Sequence, residues 1–314
     1  MEPVEHIPVL TEDVVRGLSV HAGGRYLDAT IGGGGHTKAI LDAGAPDGRV
    51  LGLDADPEAA QRARTRLAAY GQRVTVVHAS YVDLLTIAKR EGFFPLDGVL
   101  FDLGFSSWQI EDPARGFSFS LPGPLDMRFN TESGPSAAEL VNELSEEELI
   151  EIFFTYGEEP RSRQIARAIV RARPLHTTDA LADVVVDALG GRRGALHPAT
   201  RVFQALRIAV NRELASIETA LPDAVAALKP GGRLGVISFH SLEDRIVKRF
   251  LQRESRDCIC PPEIPVCQCD HRRTVRVIGA SGKGRKPVVP SAAEVAANPR
   301  SRSAKLRLAE RVDG

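Results

Sequence analysis

The chain has 314 residues, of which 43% are hydrophobic and 26% are charged, as is ordinary for a globular protein. It contains no apolar run of about 18 residues and no signal-peptide pattern at its N-terminus, so we expect a cytoplasmic protein without a membrane span. Residues 245–314 hold 16 Lys and Arg against 7 Asp and Glu (+9), whereas residues 1–244 hold 24 against 34 (−10). A basic tail on an acidic body suggests either a polyanionic partner or a solvated surface.

The first chemical signal is a run of four glycines, residues 32–35, between a short apolar strand that ends at Asp28 and a helix-like stretch. Glycines can adopt φ > 0 and bring the backbone close to a ligand, and the N-terminus of the next helix offers unpaired N–H groups. The third glycine of a Gly-x-Gly-x-x-Gly fingerprint would fall on Thr37 or Lys38, which argues against NAD or FAD. A P-loop sequence is also absent. A nucleotide-like cofactor site and a plain flexible turn remain the two interpretations of this loop alone.

Three more strands follow, each separated from the next by a predicted helix, at residues 49–54, 74–78 and 96–102. Strands that alternate with helices predict a parallel, doubly wound α/β sheet, which binds ligands beyond the carboxyl ends of its strands. Asp28, Asp54, Tyr81 and Asp102 all fall at that edge. An acid at the end of the second strand, here Asp54, can accept hydrogen bonds from both ribose hydroxyls of a nucleoside.

A helical block then interrupts the sheet pattern. We expect a capping box at Ser145, a helix capped by Thr178 and one long helix from Ala199 to Leu221. The sheet resumes near residue 229, and residues 305–310 alternate as a final strand. The expected organisation is therefore an α/β domain of residues 1–135 and 216–314, with an inserted helical domain of residues 136–215. Arg163, Arg167 and Arg171 stack on one helix face, where they either contact phosphates or form a solvated surface.

Four cysteines lie close together as Cys258-x-Cys260 and Cys267-x-Cys269. Structural zinc sites usually leave two to four residues between paired cysteines. The spacing here is tighter, so we assign no metal ligand, and both a metal site and a loop with reduced thiols stay open.

These segments together resemble the bacterial 16S rRNA (cytosine-N4)-methyltransferase family. The resemblance runs nearly end to end, through stretches at residues 6–9, 28–36, 54–57, 102–109, 115–119, 123–128, 197–211, 238–249 and 298–303. It implies a class I S-adenosylmethionine-dependent methyltransferase fold, a Rossmann-like doubly wound sheet with an inserted helical domain. It also implies transfer of a methyl group from S-adenosyl-L-methionine to the exocyclic amine of a cytidine in the decoding centre of 16S rRNA, within the small (30S) ribosomal subunit.

Residue by residue, the resemblance places Gly34, Gly35 and His36 at the methionine end of the cofactor and Asp54 at its ribose. It places Tyr81 at the adenine, and Asp102 with Gln109 near the reacting methyl group. Trp108 departs from the proline that is common in relatives.

An Asn/Asp-Pro-Pro-Tyr motif, which many amino-methyltransferases carry after the fourth strand, is missing here. Asp102 or Ser106 could accept a hydrogen bond from the cytosine amine, Phe105 could stack on the base, and His240 is a further candidate for substrate binding. No catalytic residue is assigned. Two alternatives remain, a non-catalytic RNA-binding module and a nucleotide-cofactor oxidoreductase, and the oligomeric state, a homodimer included, is open.

Overall fold

A computed structural model describes residues 8–191, 197–261, 263, 266–280 and 285–313, apart from the side chain of Ser107. His6 and Ile7, the start of one expected family segment, lie outside this range. The strands are β1 Arg25–Asp28, β2 Arg49–Asp54, β3 Val74–His78, β4 Leu96–Asp102, β5 Leu228–Ser238, β6 Val275–Ile278 and β7 Lys305–Arg311. The helices are α1 Thr11–Gly17, α2 Gly35–Ala43, α3 Pro57–Arg66, α4 Leu84–Arg90, α5 Ser107–Glu111, α6 Ala137–Glu143, α7 Glu146–Gly157, α8 Ser162–Ala172, α9 Thr178–Ala188, α10 Thr200–Asn211, α11 Glu213–Ala227, α12 Ser241–Glu254 and α13 Ala292–Ala297.

The seven strands form one sheet in the order β3-β2-β1-β4-β5-β7-β6. Strands β1 to β5 pair in parallel, whereas β7 runs antiparallel between β5 and β6. The order reverses direction between β1 and β4, which creates the crevice where doubly wound sheets bind ligands. The α/β fold of a class I S-adenosylmethionine-dependent methyltransferase is therefore confirmed.

Both faces of this sheet are buried, as expected of parallel strands covered by helices. Alternate side chains of a strand point to opposite faces. Tyr26 and Val50 accordingly lie in one hydrophobic core, whereas Leu27 and Leu51 lie in the other. All four are at most 1% exposed, so the short strands are fixed from both sides.

The chain divides into two compact units, one of Met1–Gly104 with Leu214–Gly314 and one of Phe105–Glu213. The second unit is helical and has its own core, which includes Phe153, Ile165 and Leu206. This second unit starts at Phe105, whereas the inserted domain was expected to start at residue 136. The earlier start arises because the loop that carries Phe117 and Leu125 packs into the helical core. The domain boundaries given by the sequence remain a prediction.

Two expected helix boundaries are wrong. The expected long helix from Ala199 to Leu221 is broken at Arg212, whose left-handed backbone (φ 50°) separates α10 from α11. The expected cap of α9 is shifted by one residue, because Thr177 accepts the hydrogen bond from the Ala180 N–H. The capping box at Ser145 is confirmed. No helix in the described part of the chain is both long and apolar enough to cross a membrane.

Candidate functional site

Three acids end neighbouring strands at one edge of the sheet. Asp28, Asp54 and Asp102 are the last residues of β1, β2 and β4. Asp28 lies opposite Gly52 of β2 and opposite Leu100 of β4, so the three strands end at nearly the same level. The sequence-based prediction that these acids meet at the carboxyl edge is confirmed.

The glycine loop follows the first of these acids and opens α2. Gly32 and Gly34 have positive φ angles of 50° and 75°, which an L side chain rarely adopts. A Cβ on Gly35 would lie 3.0–3.2 Å from the ring of Pro8, so this loop has little room for a side chain. Among the described residues, no side chain caps α2 at Gly34, so the N–H groups of its first turn can donate to a ligand with acceptor oxygens.

Asp54 fixes the shape of this loop. Its Oδ2 accepts a hydrogen bond from the Gly32 N–H at 2.8 Å, and its Oδ1 accepts one from the Asp56 N–H at 2.9 Å. Burial raises the pKa of Asp54 to about 6, and these two backbone donors only partly offset that effect. Each carboxylate oxygen keeps a second lone pair, which suits the hydroxyl groups of a ribose.

His36 is a buried cation within the same edge. Its Nε2 lies 2.8 Å from the Val9 carbonyl oxygen, and its Nδ1 lies 3.4 Å from Oδ2 of Asp102. Burial by itself would lower the pKa of His36, but the hydrogen bond and charge of Asp102, with the charge of Asp28, raise it to about 9. Both ring nitrogens therefore carry protons at neutral pH and donate, Nε2 to Val9 and Nδ1 to Asp102.

Asp28 is a second buried acid that interacts with His36. It is 1% exposed, and its Oδ2 accepts a hydrogen bond from the Thr37 hydroxyl at 2.7 Å. Burial raises the pKa of Asp28, and the positive charge of His36 opposes the rise. The position of Asp28 at a strand end was visible in the sequence, whereas its link to Thr37 in the first turn of α2 was not.

The two carboxylate oxygens of Asp102 have different surroundings. Its backbone N–H donates to the Thr30 hydroxyl at 2.7 Å, and its Oδ2 faces His36. Its Oδ1 is buried and has no hydrogen-bond partner among the described residues. Because a buried acceptor without a donor is costly, this oxygen marks the place where a ligand N–H or O–H would be stabilised.

Tyr81 lies just after β3, at the same edge of the sheet. Its ring packs edge-on against Phe101 with centroids 5.5 Å apart, and the Ser80 hydroxyl before it accepts a hydrogen bond from the Val82 N–H. These contacts hold the ring in place. Its packing against adenine stays a prediction.

His240 has a local structural task. It is the N-cap of α12: its Nδ1 accepts a hydrogen bond from the Glu243 N–H at 3.4 Å, and its Nε2 lies 3.1 Å from Oε1 of Glu243. The side chain is therefore held by its own helix. A role in substrate binding stays a prediction.

Ser106 and Gln109 belong to the second unit, where they pair with each other. The Ser106 hydroxyl accepts from the Gln109 N–H at 3.3 Å, and Gln109 Oε1 accepts from the Ser106 N–H at 2.8 Å, which forms a capping box at α5. The Ser-x-x-Gln spacing is a capping signature that is visible in the sequence. Their roles toward cytidine and cofactor stay predictions.

The second unit also carries exposed aromatic rings beside Ser106. Phe105 is 39% exposed and Trp108 is 38% exposed. The Arg207 guanidinium lies 4.6 Å from the centre of the Phe105 ring and is itself held by Glu213 at 2.8 and 3.0 Å. The Phe105 ring also stacks on Phe117 with centroids 6.1 Å apart, so two neighbours fix this partly exposed ring.

The first unit meets the needs of S-adenosyl-L-methionine. The first turn of α2, which no described side chain caps, can donate to a carboxylate, and Asp54 can accept from ribose hydroxyls. One contact that the sequence did not suggest tightens the loop, since Arg66 Nη1 donates to the Gly33 carbonyl at 3.1 Å.

Comparison with known proteins agrees with this assignment. A profile of the MraW methylase family matches residues 3–312. The Ribosomal RNA small subunit methyltransferase H of Thermomicrobium roseum is 56% identical over 310 residues, which cover 98% of this chain and 94% of that protein. The protein of the same name from Dehalococcoides mccartyi strain BAV1 is 50% identical over 307 residues, with 98% and 86% covered. The one from Syntrophotalea carbinolica is 48% identical over 316 residues, with 99% of both covered.

Proposed function

Since the chain belongs to the MraW methylase family, we propose that it methylates the N4 amine of a cytidine in the decoding centre of 16S rRNA, with S-adenosyl-L-methionine as donor. The names of its relatives support small-subunit ribosomal RNA as the substrate class. Family membership removes the oxidoreductase alternative and disfavours a non-catalytic RNA-binding module.

The observation that carries the proposal is the orphan oxygen of Asp102. An exocyclic cytosine amine is a poor nucleophile because its lone pair is delocalised into the ring. A carboxylate that accepts a hydrogen bond from such an amine shifts electron density back toward nitrogen and fixes its direction. Asp102 Oδ1 is buried and unpartnered among the described residues, while Oδ2 is held by His36. This carboxylate is therefore preorganised to accept from an amine.

The cofactor supplies an electrophilic methyl group on a sulfonium when bound. The protein has to position the reactants, because displacement at the methyl carbon needs the amine nitrogen, the carbon and the sulfur to be collinear at near-attack distance. Asp54 and the glycine loop would hold the donor, Asp54 through its carboxylate and the loop through its backbone. The His36 ring, whose Nδ1 lies 3.4 Å from Oδ2 of Asp102, would hold this carboxylate in one orientation, and the target base would leave its stack to reach the edge of the sheet.

The second unit is proposed to bind the RNA. Phe105 offers an accessible ring for a base, backed by Arg207. The exposed arginines of α8 offer charges to phosphates.

The test is methyl transfer from labelled S-adenosylmethionine to purified 30S subunits that lack the modification. Nuclease digestion and mass spectrometry, against standards of N4-methylcytidine and 5-methylcytidine, identify the product. We expect N4-methylcytidine, and no incorporation when sinefungin replaces the donor. A methyl group on C5, on a ribose or on another base would overturn the proposal.

The role of Asp102 is tested separately with Asp102→Asn and Asp102→Ala. If Asp102 orients the acceptor amine, kcat falls at least about 100-fold in both, while the calorimetric affinity for the cofactor changes little. Loss of cofactor affinity with an unchanged kcat at saturating donor would assign Asp102 to the cofactor's amino group instead.

A further inference from the structure

The loop between α12 and β6 brings all four cysteines of the chain together. Cys258, Cys260, Cys267 and Cys269, here called the cysteine cluster, have Sγ atoms that all lie within 4.8 Å of one another. Cys269 Sγ is 3.6 Å from the sulfur of Cys267 and 3.8 Å from that of Cys258. Nothing in the methyltransferase site uses this cluster.

These distances fit one tetrahedral ion. With Zn–S bonds of about 2.3 Å, the sulfurs at the corners of a tetrahedron lie about 3.8 Å apart. A disulfide would require about 2.05 Å, and the four thiols are all free. The tight Cys-x-Cys spacing is no obstacle, because the pair Cys267 and Cys269 already reaches 3.6 Å.

The backbone around the cluster is arranged as in a metal–thiolate site. Three N–H groups point at sulfurs at 3.4 Å: Ile259 at Cys269, Cys260 at Cys258, and Gln268 at Cys260. Such donors stabilise the negative charge of metal-bound thiolates and orient the ligands.

We propose that the cysteine cluster binds a single Zn²⁺ ion through four thiolates. Four protein ligands close the coordination shell, so the site is structural and leaves no open position for substrate or water. The nearby His271 is directed elsewhere, since its Nε2 lies 3.2 Å from the Arg253 carbonyl oxygen at the end of α12.

The metal has a clear structural task. Cys258 and Cys267 are exposed, and this part of the loop has little apolar material of its own to bury. Its neck is closed at Thr274, whose N–H donates to the Glu254 carbonyl at 2.9 Å and whose hydroxyl donates to the Glu254 carboxylate at 2.8 Å. A Zn²⁺ ion would fix the tip of the loop, in the way that a hydrophobic core orders larger parts of a protein. Exposed Arg256, Arg272 and Arg273 would thereby be held on a defined surface.

The test measures metal in the full-length protein, purified under reducing conditions without a metal-affinity step. Elemental analysis should give about one zinc per chain. Replacement by Co²⁺ should give the sulfur-to-cobalt charge-transfer band and the intense visible bands of a tetrahedral thiolate site. Because the chain has only four cysteines, any thiolate band must come from this cluster. Titration with a thiol reagent should count four reactive thiols after metal removal. One equivalent of added Zn²⁺ should protect these thiols from the reagent.

Two variants identify the ligands. Cys260→Ser/Cys269→Ser should bind no Co²⁺ tightly, whereas the matched neighbour variant His271→Gln should keep one ion and the same spectrum. Circular dichroism checks that the cysteine variant still folds, and the wild-type measurements stand even if it does not. Wild-type protein that takes up no zinc after reconstitution would overturn the proposal. Retention of the ion by the cysteine variant, or its loss in His271→Gln, would overturn the four-thiolate assignment.

Discussion

Nδ1 of His36 lies 3.4 Å from Oδ2 of Asp102, which joins the first turn of α2 to the end of β4. The pairing explains why the pKa of a histidine that is 5% exposed is raised, although burial alone would lower it. It also leaves Asp102 with one oxygen held and one oxygen available. The ion pair thus joins two elements of the sheet edge and orients the carboxylate that is proposed to accept from the cytosine amine.

The His36–Asp102 pair should make stability depend on pH. The pKa of His36 rises from 6.5 to about 9 on folding, so its contribution is fully present below pH 6.5 and is lost as pH rises through about 9. The full loss amounts to about 3 kcal/mol at most. Urea unfolding at pH 6.5 and pH 9.5 should show this decline in wild type and a smaller one in His36→Gln.

His176→Gln is the matched control, because His176 is exposed. It should follow the wild-type pH profile. An identical decline in His36→Gln and wild type would mean that other groups cause it.

Asp54→Ala should weaken cofactor binding. The carboxylate is proposed to accept two hydroxyl hydrogen bonds from the ribose, and charge-assisted bonds of this kind make the loss about 2–4 kcal/mol in binding free energy. Isothermal titration calorimetry with S-adenosylmethionine at pH 7.5 measures it. Asp42→Ala, which removes a half-exposed acid at the far end of α2, should bind like wild type. Unchanged affinity in Asp54→Ala would remove Asp54 from the ribose site.

Three of the five parallel strands could be predicted to the residue, whereas some elements near them could not. Strands β2, β3 and β4 are apolar runs that end at an acid or are followed by a turn. Their observed bounds equal the predicted ones. Strand β6 was missed because Val275–Ile278 is only four residues long, lies at the sheet edge and contains an arginine. Short edge strands carry too little apolar pattern to be recognised.

The break between α10 and α11 was missed for a different reason. No glycine or proline marks it. Asn211 instead accepts a hydrogen bond from the Phe129 N–H and donates one to the Met127 carbonyl, both at 2.7 Å, and the helix ends there. These partners lie more than 80 positions away in the chain, so local sequence could not show them.

The same limit applies to the site. Acids at strand ends are visible because position along a strand fixes the edge at which they lie. The pairing of His36 with Asp102 and the orphan oxygen of Asp102 depend on side-chain packing between distant segments. The sequence therefore predicted which acids meet at this edge, whereas the contacts between their side chains required the structure.

The arginine row of α8 should contribute to RNA binding. Arg163, Arg167 and Arg171 are exposed, while Ile165 and Ile169 on the opposite face are buried. Changing the three arginines to Gln should lower affinity for 16S rRNA and reduce the slope of log K against log salt by about 2–3. The ion pair between Arg167 and Glu146, at 3.4 Å, is surface-exposed and costs little to break.

The control removes the same number of positive charges from the first unit, as Arg62→Gln/Arg64→Gln/Arg90→Gln. These side chains lie on α3 and α4, and this variant should keep the wild-type salt slope. Equal slopes in wild type and the α8 variant would show that the row is only a solvated face.

An assembled small subunit should be a much better substrate than naked 16S rRNA or a short decoding-region oligonucleotide. The body of residues 1–244 has a net charge of −10 and should repel RNA in general, so binding must come from localised basic surfaces. The +9 tail and the α8 row are far from the glycine loop in sequence, and contacts made through them would touch parts of a large partner other than the target base. Binding energy from such remote contacts can be used to position the reacting amine, so a truncated substrate loses kcat as well as affinity.

Methyl incorporation into the three substrates gives the comparison, and we expect kcat/KM to fall by at least about tenfold at each truncation, since about 1.4 kcal/mol of lost positioning energy suffices for that change. Equal kcat/KM on all three would mean that the tail and the α8 row do not recognise the assembled particle.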